Sequence, residues 1–185
     1  MKSVIELKVA KELSEEARAH AKARLGFEYN RFNLDQNQRL AMITMGTVGQ
    51  LIFRKYLTQN KVDFDFQLQA GEFDDFDFVI KNKIVEIKTS GFAKPNDWQS
   101  LNGIYNLSQL KAAKKKNYYC SVQLFVNGYD KMTKMFNVNA CDTCIIAGWS
   151  LIEQIPSFPL VDLPYGKAHL IPLNELRDIT DLISL

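Results

Sequence analysis

The sequence predicts a mixed α/β fold, and three observations support that prediction. Two helix-forming stretches come first, at residues 12–25 and 35–58. From residue 62 to residue 90 the apolar side chains instead recur at every second position, which is the period of half-buried strands. Helix and strand patterns then alternate along the rest of the chain. This order favours a mixed central sheet flanked by helices.

The two N-terminal helices are predicted from their composition and end signals. Residues 12–25 carry acids early and bases late, which complements the helix dipole, and Gly26 is a candidate C-cap. The second stretch contains Gly46 and Gly49, which weaken a helix but allow close backbone packing. Its candidate buried positions are Leu40, Ile43, Val48, Leu51, Ile52 and Tyr56.

The later elements are predicted to be shorter. Residues 156–166 hold three of the five prolines, so we expect a loop there. The predicted helices are 101–115, a brief one from Ser150, and 173–185; the predicted strands are 118–126, 131–138, 144–149 and, at a sheet edge, 169–171.

Size and composition indicate one domain, with a helical part at 1–60 and C-terminal strands and a helix at 127–185. The formal net charge of +2 points to no class of partner. Three cysteines, an odd number, fit a reducing interior. The N-terminal segment lacks a secretory apolar core, and no apolar run approaches the roughly 18 residues of a membrane span. We therefore expect a cytoplasmic protein without membrane contact.

The segment from Gly71 to Gly91 is predicted to be a hairpin with one polar face. With Asn82 and Lys83 as the turn, Ile80 would lie opposite Val85. A register slip of one residue would bury the acids, so the alternation fixes the two faces. The apolar face would carry Phe76, Phe78, Ile80, Val85 and Ile87, and the polar face Asp75, Asp77, Glu86 and Lys88.

The polar face suggests a metal site. Two carboxylates on adjacent strands, Asp77 and Glu86, repel each other unless a cation lies between them, and hard oxygen ligands suit Mg²⁺ or Mn²⁺. Such a metal activates water against a phosphodiester. Lys88 points to the same face, where it can orient the water or stabilise transition-state charge. The Ile87 carbonyl is a further candidate ligand, and Asp75 an auxiliary one.

These residues resemble the PD-(D/E)XK nuclease superfamily. The (D/E)-x-K half would be Glu86-Ile87-Lys88, with Asp77 as the leading acid and Asp74 and Asp75 as rivals. The resemblance implies a restriction-endonuclease-like fold, with a catalytic core over about 40–126. The family's preceding helix often carries a metal-reaching glutamate, where this chain has Gln50. Gln109 is similar to a glutamine that follows the catalytic lysine in several branches.

Charge placement is compatible with DNA as the partner, double-stranded or branched. Residues 61–90 have a balance of −3, whereas residues 91–135 have a balance of +5. An acidic metal centre beside a basic surface suits a polyanion. The candidate DNA-binding lysines are Lys94, Lys111, Lys114, Lys115 and Lys116. We therefore predict a Mg²⁺-dependent deoxyribonuclease, and more specifically an endonuclease. If it cuts both strands at one site, we expect a homodimer.

Other interpretations remain open. A non-catalytic nucleic-acid-binding module on the same fold is the main alternative, and a structural or partner-binding domain is a third. Cys141 and Cys144 form a C-x-x-C motif, but Cys120 is the only other cysteine, so buried inert thiols are predicted rather than a four-cysteine cluster. His169 is predicted to be a hydrogen-bonded edge-strand residue rather than a base.

Overall fold

The computed structural model describes residues 4–27, 34–68, 76–94, 96–163 and 166–185. The helices within these ranges are α1 (Lys11–Arg24), α2 (Gln36–Gln59), α3 (Leu107–Lys115) and α4 (Ile179–Ser184). The strands are β1 (Ile5–Lys8), β2 (Phe64–Phe66), β3 (Phe78–Ile80), β4 (Lys83–Phe92), β5 (Asn102–Asn106), β6 (Cys120–Asn127), β7 (Tyr129–Asp130), β8 (Met135–Phe136), β9 (Thr143–Leu151), β10 (Leu160–Leu163) and β11 (Gly166–Pro172).

A six-stranded mixed sheet forms the centre, in the order β1-β9-β6-β4-β3-β2. Strands β4 and β6 are parallel, and the other neighbouring pairs are antiparallel. The connection between the two parallel strands contains β5 and α3, as a crossover requires. A three-stranded sheet, β10-β11-β5, and the short β7-β8 hairpin complete the strands. The fold class is mixed α/β, as predicted.

The two faces of the central sheet bury two apolar clusters. The larger cluster joins Phe78, Val85 and Ile87 of the hairpin to α2, with Leu51 and Phe53 fully buried. The second cluster, on the side of α3 and the three-stranded sheet, includes buried side chains from β5, β6 and β9. Successive residues of β4 therefore face different clusters. Within the described ranges, no helix has both the length and the apolar character needed to cross a bilayer.

Helix α2 has the buried positions that place it against the sheet. It begins with a capping box, in which the Asp35 carboxylate accepts from the Gln38 N–H at 2.8 Å and the Gln38 side chain accepts from the Asp35 N–H at 3.2 Å. Most of the predicted positions are buried, but Leu40 and Ile43 are only half-buried.

The β3-β4 hairpin has the predicted faces but not the predicted register. Lys81 and Asn82 form the turn with φ of 46° and 63°, the left-handed conformation typical of tight hairpin turns. Ile80 therefore lies opposite Lys83, and not opposite Val85. The register differs by two residues, which preserves the face on which each side chain lies.

Several other predictions of secondary structure were wrong. Ser150 lies within β9 and not at the start of a helix. Residues 102–106 are a strand and not the start of a helix, and residues 131–138 contain only one two-residue strand. The predicted loop at 156–166 includes β10. Strand β11 is the middle strand of its sheet rather than an edge strand, and β1 was not anticipated.

Candidate active site

Asp77 lies where β3 and β4 separate. The last pair of these two strands is Phe78 opposite Val85. If the antiparallel pairing continued, the Ile87 N–H would donate to the backbone carbonyl of residue 76. Instead, the Asp77 Oδ2 accepts a hydrogen bond from the Ile87 N–H at 2.7 Å. The N–H and C=O of one strand residue point to the same side, so the Ile87 carbonyl is directed towards this gap as well. The Asp77 backbone is fixed from the other side, because its carbonyl accepts from the Gln67 N–H at 3.2 Å.

The environment of Asp77 favours its protonated form. Burial first, and then the negative charge of Glu86, raise the pKa of Asp77 to about 6. The hydrogen bonds from Ile87 and Gln50 and the positive charge of Lys88 act in the opposite direction. Besides burial, Glu86 is thus the group that raises the pKa of Asp77.

Gln50 reaches Asp77 from helix α2. Its Nε2 donates to the Asp77 Oδ1 at 2.7 Å. The adjacent Gly49 permits this approach, because a Cβ built at Gly49 would lie 1.9 Å from the Thr89 Oγ1 on β4. Both oxygens of Asp77 are thus held by protein donors, one from α2 and one from β4.

Glu86 and Lys88 lie side by side on the opposite face of β4 from Ile87. The Lys88 Nζ is 2.5 Å from the Glu86 Oε1, and the two side chains are only 15% and 18% exposed. Residues two apart on a strand share a face, which explains this contact. The low exposure separates this pair from an ordinary surface ion pair, because water competes little with it.

Tyr105 is a site residue that the sequence did not assign to the metal centre. It is fully buried on β5, and its hydroxyl donates to the Glu86 Oε2. Its ring lies beneath Lys88, with the Lys88 Nζ 4.8 Å from the ring centroid. The sequence signal for this strand was the pair Gly103 and Tyr105, two residues apart, which are the buried positions of β5.

The remaining predicted residues lie farther along the chain or outside the described ranges. Asp74 and Asp75 belong to the residues that are not described. Gln109 lies on α3, where its side-chain oxygen accepts from the Asn106 amide at 3.4 Å, which ties it to the start of its own helix. All the candidate DNA-binding lysines are exposed, Lys94 after β4 and the others on α3 or directly after it: Lys111, Lys114, Lys115 and Lys116.

The donor set suits a hard divalent cation. Asp77 and Glu86 supply carboxylate oxygens, and the Ile87 carbonyl is directed to the same gap. Burial, and then the negative charge of Glu86, raise the pKa of Asp77, and a cation would offset that charge. Two protein carboxylates with bound water are a usual ligand set for Mg²⁺. Among the described residues, no group of three or more His, Cys, Asp or Glu side chains is placed to hold a metal ion.

The surroundings of the cysteines and of His169 indicate structural roles. Cys120, Cys141 and Cys144 are buried free thiols, as predicted, and burial raises the pKa of Cys120 and of Cys141 to about 12. His169 is buried, and its Nδ1 lies 2.9 Å from the Phe158 carbonyl oxygen.

No family model, no curated protein and no solved structure matches this chain. Its function must therefore be inferred from the residues of the site.

Proposed function

We propose that this protein is a metal-dependent DNA nuclease on a restriction-endonuclease-like core. The observation that carries the proposal is that β4 holds the low-exposure Glu86–Lys88 pair and, through the Ile87 amide between them, the Asp77 carboxylate where β3 and β4 separate. The order of elements also supports it. A helix precedes the hairpin, and a second helix leads to the parallel strand β6, which is the arrangement that the PD-(D/E)XK resemblance implies.

Each residue of the site has a distinct task. The carboxylates of Asp77 and Glu86 and the carbonyl of Ile87 would hold Mg²⁺ or Mn²⁺. When bound, such a metal polarises the phosphodiester and lowers the pKa of a bound water. Lys88, paired with Glu86, would donate to the attacking water or to a phosphate oxygen where negative charge develops. Ile87 and Gln50 keep the Asp77 carboxylate directed into the gap.

The lysines of α3 supply the basic surface for DNA. Lys111, Lys114 and Lys115 are exposed on this helix, and α3 leads directly from the sheet that carries Tyr105 to the strand beside β4. Exposed lysines contribute sequence-independent attraction to phosphates. DNA held along this surface would lie near the two carboxylates of the site. Their negative charge would repel phosphate until a cation binds.

The proposal is tested by incubating the purified chain with plasmid, single-stranded and branched DNA in Mg²⁺, Mn²⁺ or EDTA. We expect Mg²⁺-dependent cleavage that Glu86→Ala and Lys88→Ala each reduce by at least about 100-fold. Lys167→Ala removes an exposed lysine of β11 and serves as the matched control, with activity unchanged. Circular dichroism verifies the fold of each variant. Full activity in both site variants would refute the proposal.

A second candidate is a DNA-binding module without catalysis. Gln50, a neutral amide, contacts Asp77 at the place where the resemblance implies a glutamate, so the site has less negative charge to hold a metal. The same incubation decides between the two. Salt-sensitive DNA binding without cleavage in either metal would select the binding module.

A further inference from the structure

The two oxygens of Glu86 are held by different groups. The Tyr105 hydroxyl donates to Oε2, whereas the Lys88 ammonium lies 2.5 Å from Oε1. A lysine side chain is flexible and can exchange its contact when a cation arrives. A buried tyrosine has no comparable freedom.

Tyr105 is fixed in place by the second sheet. It is 0% exposed, and its backbone pairs with His169 of β11, whose ring is itself held at the Phe158 carbonyl. The neighbouring Gly103 packs directly on Gln123 of β6, where a Cβ would lie 2.7 Å from the amide oxygen. The hydroxyl is therefore presented to Glu86 from a rigid support.

We propose that Tyr105 is a positioning residue that disfavours bidentate binding of a cation by Glu86 and thereby favours Mg²⁺ or Mn²⁺ over Ca²⁺. This inference rests on the proposed function. Mg²⁺ requires near-octahedral geometry with short bonds, whereas Ca²⁺ accepts six to eight ligands and bidentate carboxylates. The Tyr105 hydroxyl occupies one lone pair of Oε2, so bidentate binding by Glu86 would compete with this hydrogen bond, which disfavours the larger ion.

The test measures cation binding directly. The electron paramagnetic resonance signal of free Mn²⁺ is followed as the full chain is added, and Mg²⁺ or Ca²⁺ then competes for the site. We expect Tyr105→Phe to lower the ratio of Mg²⁺ affinity to Ca²⁺ affinity by about three- to tenfold, the net value of one typical hydrogen bond. Phenylalanine retains the ring, and therefore the packing and the contact with Lys88.

Tyr56→Phe is the matched control, because Tyr56 is a buried tyrosine of the other cluster. It should leave the affinity ratio unchanged, and thermal melting without cations verifies that both variants fold. A wild-type chain that binds Mg²⁺ and a Tyr105→Phe variant with the same ratio would overturn the role of Tyr105 but not the nuclease proposal. A wild-type chain that binds no divalent cation would overturn the nuclease proposal itself.

Discussion

Replacement of Asp77 by asparagine should change how stability depends on pH. The folded protein raises the pKa of Asp77 from 3.8 to about 6, so between these values it binds a proton more tightly than the unfolded chain does. The contribution of Asp77 to the free energy of unfolding is therefore greatest at acid pH and falls as the pH rises through this window. Asparagine cannot ionise, so Asp77→Asn should lack this fall.

The expected size follows from the shift of roughly two pH units in the pKa. Between about pH 4 and about pH 7, the free energy of unfolding of the wild-type chain should fall by about 2–3 kcal/mol relative to Asp77→Asn. The variant loses one acceptor for the Gln50 and Ile87 hydrogen bonds, which adds an offset that does not vary with pH. The change with pH is thus the quantity to measure.

Urea denaturation at several pH values, with EDTA to remove metals, provides the measurement. Asp65→Asn, which removes an equal charge from an exposed position on β2, is the control for altered net charge. If the difference between the wild type and Asp77→Asn were constant from pH 4 to pH 7, the electrostatic account of Asp77 would be refuted.

Two further predictions concern the helices. Gly49→Ala should destabilise the chain by about 1–3 kcal/mol, because its Cβ would overlap Thr89, whereas Gly46→Ala, with no neighbour within 4 Å, should stabilise it by about 0.5–1 kcal/mol. Equal effects in urea denaturation would contradict the close packing of α2 on β4. Lys111→Ala and Lys114→Ala should each reduce the slope of log affinity for DNA against log salt by about 1, and unchanged slopes would exclude α3 from the interface.

The alternation of apolar and polar residues was sufficient to predict the faces of the hairpin, but not its turn. Lys81-Asn82-Lys83 is a polar triplet, and either of its two-residue turns gives the same faces, because the two registers differ by two residues. The neighbourhood of Asp77 and Glu86 was therefore predictable. The hydrogen bond from Ile87 was not, since it depends on where the β3-β4 pairing ends.

Strands β5 and β10 show where local patterns were insufficient. The helix formers that begin at Leu107 extended the predicted helix backwards over β5, a five-residue strand that is stabilised mainly by pairing with β11. β10 follows Pro159 directly, and as an edge strand it tolerates a proline at its end. Tyr105 was missed as a neighbour of Glu86 for the same reason, since long-range pairing brings it there.

The bond from the Ile87 amide to Asp77 makes the site observable without any substrate. The resonance of an amide proton responds to the charge on the oxygen that accepts it, and this proton is directed at the carboxylate proposed to hold the metal. In a two-dimensional nitrogen–proton spectrum, the Ile87 signal would therefore follow both ionisation and cation occupancy of Asp77. One backbone amide would then provide an internal indicator by which cations and inhibitors could be ranked before a cleavable DNA is known.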